Sequence, residues 1–334
     1  MPAANKSLKT GVLLVNLGTP DAPDKKSIKR YLKEFLSDPR VVETPRLLWW
    51  CILNLIILTF RPSKLVPDYQ DIWHEGKSPL RAVTDQQVAR LQSTLDRTLG
   101  QNKISVKPAM TYGSPSFDEA FSQLKSEGIE KIVVLPLYPQ YSATTTAATF
   151  DAMSRALQKI RNIPEIRFIK RYHDHPLYIE ALAQSVEQHW QAEGRKARLL
   201  LSFHGIPQEY VDQGDPYAED CAETTRLLVK RLQLNTDEYL QTYQSRVGNK
   251  PWLKPYTDDT MKALGQQKQH GLDVICPGFS ADCLETLKEI DEENREYFEN
   301  NGGQDYHYIT ALNDSETHIS MLEALVLDNI NKEI

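Results

Sequence analysis

Cysteine is scarce in this sequence, and basic residues are fewer than acidic ones. The four cysteines, spread from Cys51 to Cys283 in a chain of 334 residues, form no C-x-x-C pair. Their spacing excludes a disulfide framework, a zinc ribbon and a thioredoxin-type site, so a reducing compartment is expected. Lysine and arginine total 39 against 45 acidic residues, a net charge of −6. A protein that holds nucleic acid on a basic face is therefore not expected.

Several functional motifs are also missing. No G-x-G-x-x-G follows an apolar run, which argues against a dinucleotide site. No G-x-S-x-G surrounds a serine, which argues against a serine hydrolase, and no Cys/His group has metal-ligand spacing. The first apolar run, Val12–Val15, is too short for a signal peptide. A cytoplasmic location is expected.

One strongly apolar stretch is present, Leu47–Phe60 (LLWWCILNLIILTF). Its 14 residues fall short of the roughly 20 that a membrane-spanning helix needs. A buried core helix and an interfacial helix both fit this length. The adjacent Trp49 and Trp50 lie on different flanks of a helix and are hard to bury together. The residues alone leave both alternatives open.

Apolar runs alternate with segments of helical periodicity along the chain. The predicted strands are Val12–Leu17, Ile104–Tyr112, Lys131–Tyr138, Arg167–Tyr172, Arg198–His204, Tyr239–Ser245, Asp273–Cys276 and Tyr306–Leu312. The predicted helices include Asp85–Leu99, Pro176–Glu193, Asp215–Leu232 and Ser315–Asn331. This alternation predicts an α/β protein with parallel sheets and right-handed crossovers. The strands divide four and four near residue 182, so we predict two doubly wound halves with a cleft between them.

His204 is the strongest candidate for chemistry. Ligands of parallel sheets bind beyond the carboxyl ends of the strands, and His204 ends the apolar run LLLSFH before Gly-Ile-Pro. An imidazole there titrates near neutral pH and accepts a proton or binds a metal. The alternative is a core histidine hydrogen-bonded to the backbone. The position at a strand end favours the functional interpretation.

A stripe of glutamates is the second candidate. Glu285, Glu289 and Glu293 lie at i, i+4 and i+8, on one face of a predicted helix. Like charges at this spacing repel each other, so the stripe either faces solvent or passes cations and protons along its oxygens. For Glu285 there is also a structural alternative, because Asp282 three residues earlier completes the pattern of a capping box.

Five motifs in register resemble the ferrochelatases. They are VNLGTP, LPLYPQYSATTT, SFHGIP, YQSRVGNKPWLKPYTDDTM and GFSADCLETLKEID, between about residues 11 and 300. The apolar stretch 47–60 makes the chain more similar to the protoporphyrin-using Gram-negative type than to the shorter coproporphyrin-using type. The resemblance implies a porphyrin metal chelatase, a lyase that inserts Fe(II) into protoporphyrin IX with release of two protons, the last step of haem biosynthesis.

The resemblance also implies two Rossmann-like (chelatase-type) domains, each with a four-stranded parallel sheet, with the porphyrin between them. We expect an N-terminal domain at 8–182 with an apolar lip at about 45–65, a C-terminal domain at 183–314, and a C-terminal helix at 315–334. The lip is expected to rest on the bilayer. The protein is then expected in the cytoplasm, in peripheral contact with the inner face of the cytoplasmic membrane through residues 47–60. The oligomeric state is left open.

Site residues follow from the motif positions. The resemblance assigns catalysis and metal binding to His204 and Glu285, without dividing these roles, and a proton or metal path to Glu289 and Glu293. The implied porphyrin-binding residues are Leu17, Arg61, Tyr69, Ser78, Tyr112 and Trp252. Among these, Arg61 is expected to pair with a propionate and Trp252 to stack on the ring. Plain core packing is the alternative for Leu17 and Trp252.

The chain departs from some relatives at its cysteines. Cys283 stands where some have a histidine, so that one proposed metal ligand would be a thiol. No cysteine follows Cys283, so no [2Fe–2S] cluster is expected. Fe(II) is expected as a substrate and not as a permanently bound cofactor.

Two other functions compete with the enzyme. A porphyrin or haem carrier would bind one equivalent without turnover, but it would need neither a base nor the glutamates. A chelatase for another tetrapyrrole, such as a corrinoid precursor rich in carboxylates, would need a basic cleft. The apolar lip with few cations argues against that second alternative.

Overall fold

The computed structural model describes residues 9–248 and 250–330. Contacts divide the chain into two compact units. Unit 1 is Met1–Leu137, Ala143–Lys170 and Asp314–Ile334, and unit 2 is Tyr138–Ser142 and Arg171–Asn313. This division differs from the one predicted at residue 182, which falls inside a helix, and it places the C-terminal helix with unit 1. The predicted ends at residue 8 and at 331–334 lie outside the described residues.

Each unit contains one four-stranded parallel sheet, which confirms the predicted α/β class and the four-and-four division. In unit 1 the strand order is β2-β1-β3-β4, with β1 Thr10–Asn16, β2 Ile104–Met110, β3 Lys131–Pro136 and β4 Glu165–Phe168. In unit 2 the order is β6-β5-β7-β8, with β5 Arg198–His204, β6 Tyr239–Gln244, β7 His270–Ile275 and β8 Gln304–Ile309.

Helices connect the strands of each sheet. The α-helices are α1 Lys25–Leu36, α2 Arg46–Cys51, α3 Leu58–Ile72, α4 Pro79–Leu99, α5 Phe117–Ser126, α6 Ala148–Leu157, α7 Pro176–Glu193, α8 Gln208–Asp212, α9 Tyr217–Arg231, α10 Thr257–Gln266, α11 Arg295–Asn300 and α12 Glu316–Ile330. Three further segments are π-helical: Ile52–Ile57, Ala143–Ala147 and Glu285–Asn294. Because helices cover the sheets, the inner strands read as continuous apolar runs.

Each unit has its own buried apolar core, which packs against its central strands. In unit 1 the side chains of Leu13, Val134 and Phe121 pack in one buried cluster. In unit 2 Leu200 and Val274 pack in a cluster with residues of the π-helical segment and of α11. Each central strand is therefore fixed along its length. Polar residues that follow its carboxyl end are held in place by the core below them.

The apolar stretch Leu47–Phe60 forms a helical run through α2, the π-helical segment Ile52–Ile57 and the start of α3. It is not a buried core helix, because only Leu53 and Leu58 are buried while Leu47 is 81% exposed. Further exposed side chains in it are Leu48, Trp50, Leu55, Ile56 and Phe60. Within the described residues, no helix is both long and apolar enough to cross a membrane. We call residues 47–60 the apolar lip.

Candidate functional site

His204 ends the central strand of unit 2. The five residues before it in β5 are buried, whereas His204 is half-buried, and it pairs with Gln244 on β6. The chain then turns at Gly205, whose N–H donates to the Gln244 carbonyl at 2.8 Å. A Cβ at Gly205 would lie 2.8 Å from that oxygen, so glycine is required for this close approach. The imidazole is thereby fixed at the carboxyl edge of the sheet.

The hydrogen bond of the His204 ring fixes its tautomer. Nδ1 lies 2.7 Å from the carbonyl oxygen of Gly205. A carbonyl only accepts hydrogen bonds, so Nδ1 carries the proton and Nε2 keeps its lone pair. A neutral imidazole in this state accepts a proton or binds a metal through Nε2.

The three glutamates lie on a π-helical segment and not on the α-helix that was predicted. Asn294 and Tyr306 stabilise this wider turn. The Asn294 side-chain amide donates to the Glu289 carbonyl at 2.6 Å, and the Tyr306 hydroxyl donates to the Ile290 carbonyl at 2.6 Å. Segments of π-helix occur frequently at functional sites.

The last of the three glutamates is more exposed than the first two. Glu285 and Glu289 are half-buried, whereas Glu293 is exposed. The carboxylates therefore lead from a partly desolvated position towards solvent. This order fits a path for ions or protons better than a fully solvated stripe.

The capping-box alternative is wrong, because the Asp282 carboxylate accepts its hydrogen bonds from three other side chains. Its Oδ1 accepts from the Tyr308 hydroxyl at 2.7 Å and from Thr286 Oγ1 at 3.0 Å, and its Oδ2 accepts from Asn313 Nδ2 at 2.7 Å. Asp282 thus ties the start of the π-helical segment to β8 and the loop after it. Glu285 is left without a capping role.

Two residues that the sequence reasoning did not single out, Gln244 and Ser245, connect the histidine with the glutamates. The Gln244 amide donates to the Glu285 carbonyl at 3.1 Å and lies 3.5 Å from the Glu289 carboxylate. Its oxygen accepts from Ser202 Oγ at 2.9 Å, and the Ser245 hydroxyl donates to Glu289. Both lie in the motif YQSRVG, so their place after a strand was the available signal.

Glu289 has an altered acidity. Burial raises the pKa of this carboxyl above its ordinary value of 4.5, and the charge of Glu285 adds to the rise. The Ser245 hydroxyl and His204 act in the opposite direction on the pKa without cancelling it. Glu289 therefore takes up a proton more readily than a solvent-exposed glutamate does.

We expect Glu289→Gln to stabilise the metal-free protein at alkaline pH and not at acid pH. A raised folded-state pKa means that the folded chain binds this proton more tightly than the unfolded chain, so ionisation of Glu289 lowers stability as pH rises through that pKa. The amide removes this loss. Thermal unfolding from pH 4.5 to 8 should show a gain in Tm at pH 8 that shrinks towards pH 4.5. Glu293→Gln, at an exposed position, should show no such trend; a gain for Glu289→Gln that is constant with pH would contradict the assignment.

Cys283 is a protonated thiol in the metal-free chain. It is buried, and burial, with the nearby Glu285 carboxylate, raises the pKa of the thiol well above 9. Metal ligation by cysteine uses the thiolate. Ligation by Cys283 therefore requires loss of the thiol proton beside the Glu285 carboxylate.

Trp252 lies beside the histidine loop within unit 2. Pro207 and Trp252 form an antiparallel bridge, and the Leu253 N–H donates to the Ile206 carbonyl at 3.0 Å. The indole N–H donates to the Val247 carbonyl at 3.0 Å, and the half-buried ring approaches Gly205. Trp252 is therefore placed next to the loop that follows His204.

The remaining predicted porphyrin residues lie in unit 1, and two of them follow its strand ends. Leu17 is half-buried directly after β1. Tyr112, after β2, is only 2% exposed, and its hydroxyl donates to Asp38 at 3.1 Å. Leu17 offers a partly open apolar side chain, whereas Tyr112 supports the loop from within.

Tyr69, Ser78 and Arg61 differ in what they present. Tyr69 is buried against Trp73 with ring centroids 6.3 Å apart. Ser78 is buried as the N-cap of α4, where its Oγ accepts from the Arg81 N–H at 3.3 Å. Arg61 is exposed, and no carboxylate among the described residues pairs with it. Of the three, Arg61 is the side chain available for an anionic ligand.

Comparison with known proteins gives one consistent result. The family model described as Ferrochelatase matches residues 9–330. The chain is 53% identical over 322 residues to Ferrochelatase of Idiomarina loihiensis, covering 96% of this chain and 88% of that one. It is 50% identical over 322 residues to Ferrochelatase of Yersinia pestis, covering 96% and 99%.

Solved structures share the fold at low identity. SirB from Bacillus subtilis with Fe3+ matches with a TM-score of 0.56 and 11% identity, over 97% of this chain and 96% of that one. CbiX, described as the terminal enzyme for biosynthesis of siroheme in denitrifying bacteria, matches with a TM-score of 0.52 and 12% identity, over 95% and 98%. These likenesses confirm the chelatase-type fold. The chain belongs to the ferrochelatase family, because the family model matches residues 9–330 and a relative of that name is 53% identical in sequence.

Proposed function

We propose that His204 carries the proton chemistry of the reaction that this chain catalyses, the insertion of Fe(II) into protoporphyrin IX in haem biosynthesis. The observation that carries this proposal is the hydrogen bond from Nδ1 of His204 to Gly205, which leaves Nε2 with its lone pair. Nε2 accepts a pyrrole N–H proton, and the electron pair stays on the porphyrin nitrogen and binds the iron. The step is repeated for the second N–H. No redox change occurs, and two protons leave.

The glutamates supply the exit for these protons. Glu289 combines a raised pKa with a position between half-buried Glu285 and exposed Glu293. A carboxyl that is easily protonated exchanges protons with an imidazole at little cost in free energy. We therefore assign Glu285 to the first carboxylate beside the reacting nitrogens, Glu289 to the relay and Glu293 to release into solvent.

Porphyrin binding is assigned to apolar and cationic side chains. The macrocycle is flat and apolar, so it requires apolar contact and few polar anchors. Trp252 beside the histidine loop offers an aromatic face, Leu17 offers an apolar contact, and Arg61 offers a free guanidinium for a propionate. Tyr69, Ser78 and Tyr112 are buried, so we assign them a supporting role in unit 1.

A visible-absorption assay tests this function directly. Purified protein, protoporphyrin IX and Fe(II) or Zn(II) are mixed anaerobically in mild detergent. For the enzyme we expect each protein molecule to convert many molecules of free porphyrin into metalloporphyrin, and we expect no conversion without protein. Binding that stops at one equivalent of porphyrin with no metal entering would instead support a carrier.

The apolar lip is proposed to contact the membrane surface. Leu47, Trp50, Leu55 and Phe60 are all more than half exposed. A contiguous apolar surface with a tryptophan is typical of an interfacial element. Such a contact places the enzyme where an apolar porphyrin partitions.

We expect Leu55→Glu to weaken binding to anionic vesicles by about tenfold or more, since burying a leucine contributes about 1.5–3 kcal/mol. Sedimentation with vesicles of phosphatidylcholine and phosphatidylserine measures the bound fraction. Ile163→Glu is the matched control, because Ile163 is 62% exposed against 64% for Leu55 and lies outside the lip. Equal binding by the two variants would contradict a lip contact.

A further inference from the structure

Three ligand-type side chains that lie far apart in sequence meet in unit 2, away from the glutamates. His189 of α7, Asp273 of β7 and His307 of β8 each place one ligand atom within 4.8 Å of the other two. Asp273 and His307 are paired across the β7–β8 ladder. Their convergence is therefore set by the sheet and by the helix packed on it.

This cluster lies at the opposite end of the sheet from His204. Asp273 pairs with Leu199 on β5, five residues before His204. At about 3.3 Å per residue, this places the two positions roughly 16 Å apart along the strand direction. The cluster is therefore separate from the chelation chemistry, and it can be altered without touching that site.

Asp273 presents one oxygen to the cluster while its other oxygen is fully used. Its side chain is 1% exposed, and Oδ2 accepts from Trp190 Nε1 at 2.7 Å and from the Lys196 N–H at 3.2 Å. Oδ1 lies 3.2 Å from His189 Nε2. This separation is what two ligands of one ion show when each lies about 2.0–2.2 Å from it.

His307 has the arrangement of a metal-ligating histidine. Its Nε2 lies 3.2 Å from the Asp305 carboxylate, and its Nδ1 is buried without a hydrogen-bond partner among the described residues. Ligating histidines typically donate their other ring N–H to a carboxylate, which fixes the tautomer and the ring orientation. A buried nitrogen with a free lone pair then faces inward, and leaving it unmatched costs free energy.

We propose that His189, Asp273 and His307 form a second cation site, specific for a borderline divalent ion of the Zn²⁺ or Co²⁺ class. Two imidazoles and one carboxylate are ligands that such ions prefer, and water completes a tetrahedral shell. His189 and His307 are half-buried, so the outer parts of both rings meet solvent while the ligand atoms of Asp273 and His307 are buried. The ion replaces the hydrogen bond between His189 and Asp273 and takes up the free nitrogen of His307.

The test measures zinc content in protein whose chelation site is disabled. Metal-free His204→Ala protein is dialysed against micromolar Zn²⁺, and bound zinc per chain is measured by mass spectrometry. Adding His189→Gln should remove one equivalent. This glutamine keeps a donor for Asp273 but has no imidazole lone pair, so the native hydrogen bond survives while the ligand is lost. His307→Ala in the same background should remove the same equivalent.

The matched control is His270→Ala, which removes an exposed histidine from β7 and should leave zinc content unchanged. Circular dichroism checks the fold of each variant. If His307→Ala proves to be unfolded, the zinc content of the His189→Gln protein alone decides the test. Equal zinc content in His204→Ala with and without His189→Gln would overturn the proposal. That result would identify the cluster as a hydrogen-bonded pair with an adjacent histidine. It would leave the chelatase function untouched.

Discussion

His204→Ala is expected to lower chelatase turnover by roughly 10²–10⁴-fold, the range that a positioned general base contributes. The methyl side chain removes the Nε2 lone pair, while β5 and its core contacts remain. Initial rates of zinc and iron insertion measure the loss. Quenching of porphyrin fluorescence measures binding separately, and it should change little.

The control for this variant is His270→Ala, in which a solvent-exposed histidine of the same unit is lost. Its rate should match that of the unsubstituted chain. A His204→Ala enzyme that keeps a near-normal rate, with normal circular dichroism, would show that the base is another group.

Glu285→Gln is expected to cost roughly 10²-fold in turnover, because an amide neither accepts a proton nor carries negative charge next to the reacting nitrogens. The Glu285 carbonyl is held at 3.1 Å by Gln244, the ladder partner of His204. That contact involves the backbone and survives the substitution. The loss should therefore appear in the rate, with porphyrin binding preserved.

The same substitution at the next two glutamates provides a graded series. Glu289→Gln should cost less than Glu285→Gln, and Glu293→Gln, at an exposed position, should cost least. The smallest loss follows from the exposure of Glu293, and the order of the other two follows from the proposed roles of Glu285 beside the reacting nitrogens and of Glu289 in the relay. Equal losses at all three positions, or the largest loss at Glu293, would argue against an outward path.

Most of the fold was predictable from the sequence because strand periodicity and turn residues are local signals. The strand Arg198–His204 and the helix Pro176–Glu193 coincide with the observed elements. Apolar residues on both faces of β5 predict a central parallel strand. The place of His204 at a strand end follows from this, and it required no knowledge of long-range contacts.

The π-helical turn was not predictable, since it depends on partners distant in sequence. The Tyr306 hydroxyl donates to the carbonyl of Ile290, which lies 16 residues earlier in the chain. The Asp282 carboxylate accepts from the Tyr308 hydroxyl and does not cap the helix. Spacing rules for an ordinary helix do not contain this information. The same holds for His189, Asp273 and His307, which only the sheet brings together.

Burial was the other quantity that motif positions did not supply. Ser78 and Tyr112 match positions at which porphyrin contact is predicted, and the structure adds that Ser78 caps a helix and that the Tyr112 hydroxyl donates to Asp38. A motif fixes which residue stands at a position. It does not fix which atoms of that residue remain accessible after packing.

The apolar lip also governs how the purified protein behaves in water. Without lipid or detergent, its exposed leucines and Trp50 lower their free energy only by packing against another apolar surface. In a purified sample, such a surface is provided by the apolar lip of a second copy of the chain. The apparent molecular mass in detergent-free buffer therefore includes association through the apolar lip as well as any specific subunit assembly. Only the association that persists in mild detergent is assigned to specific assembly.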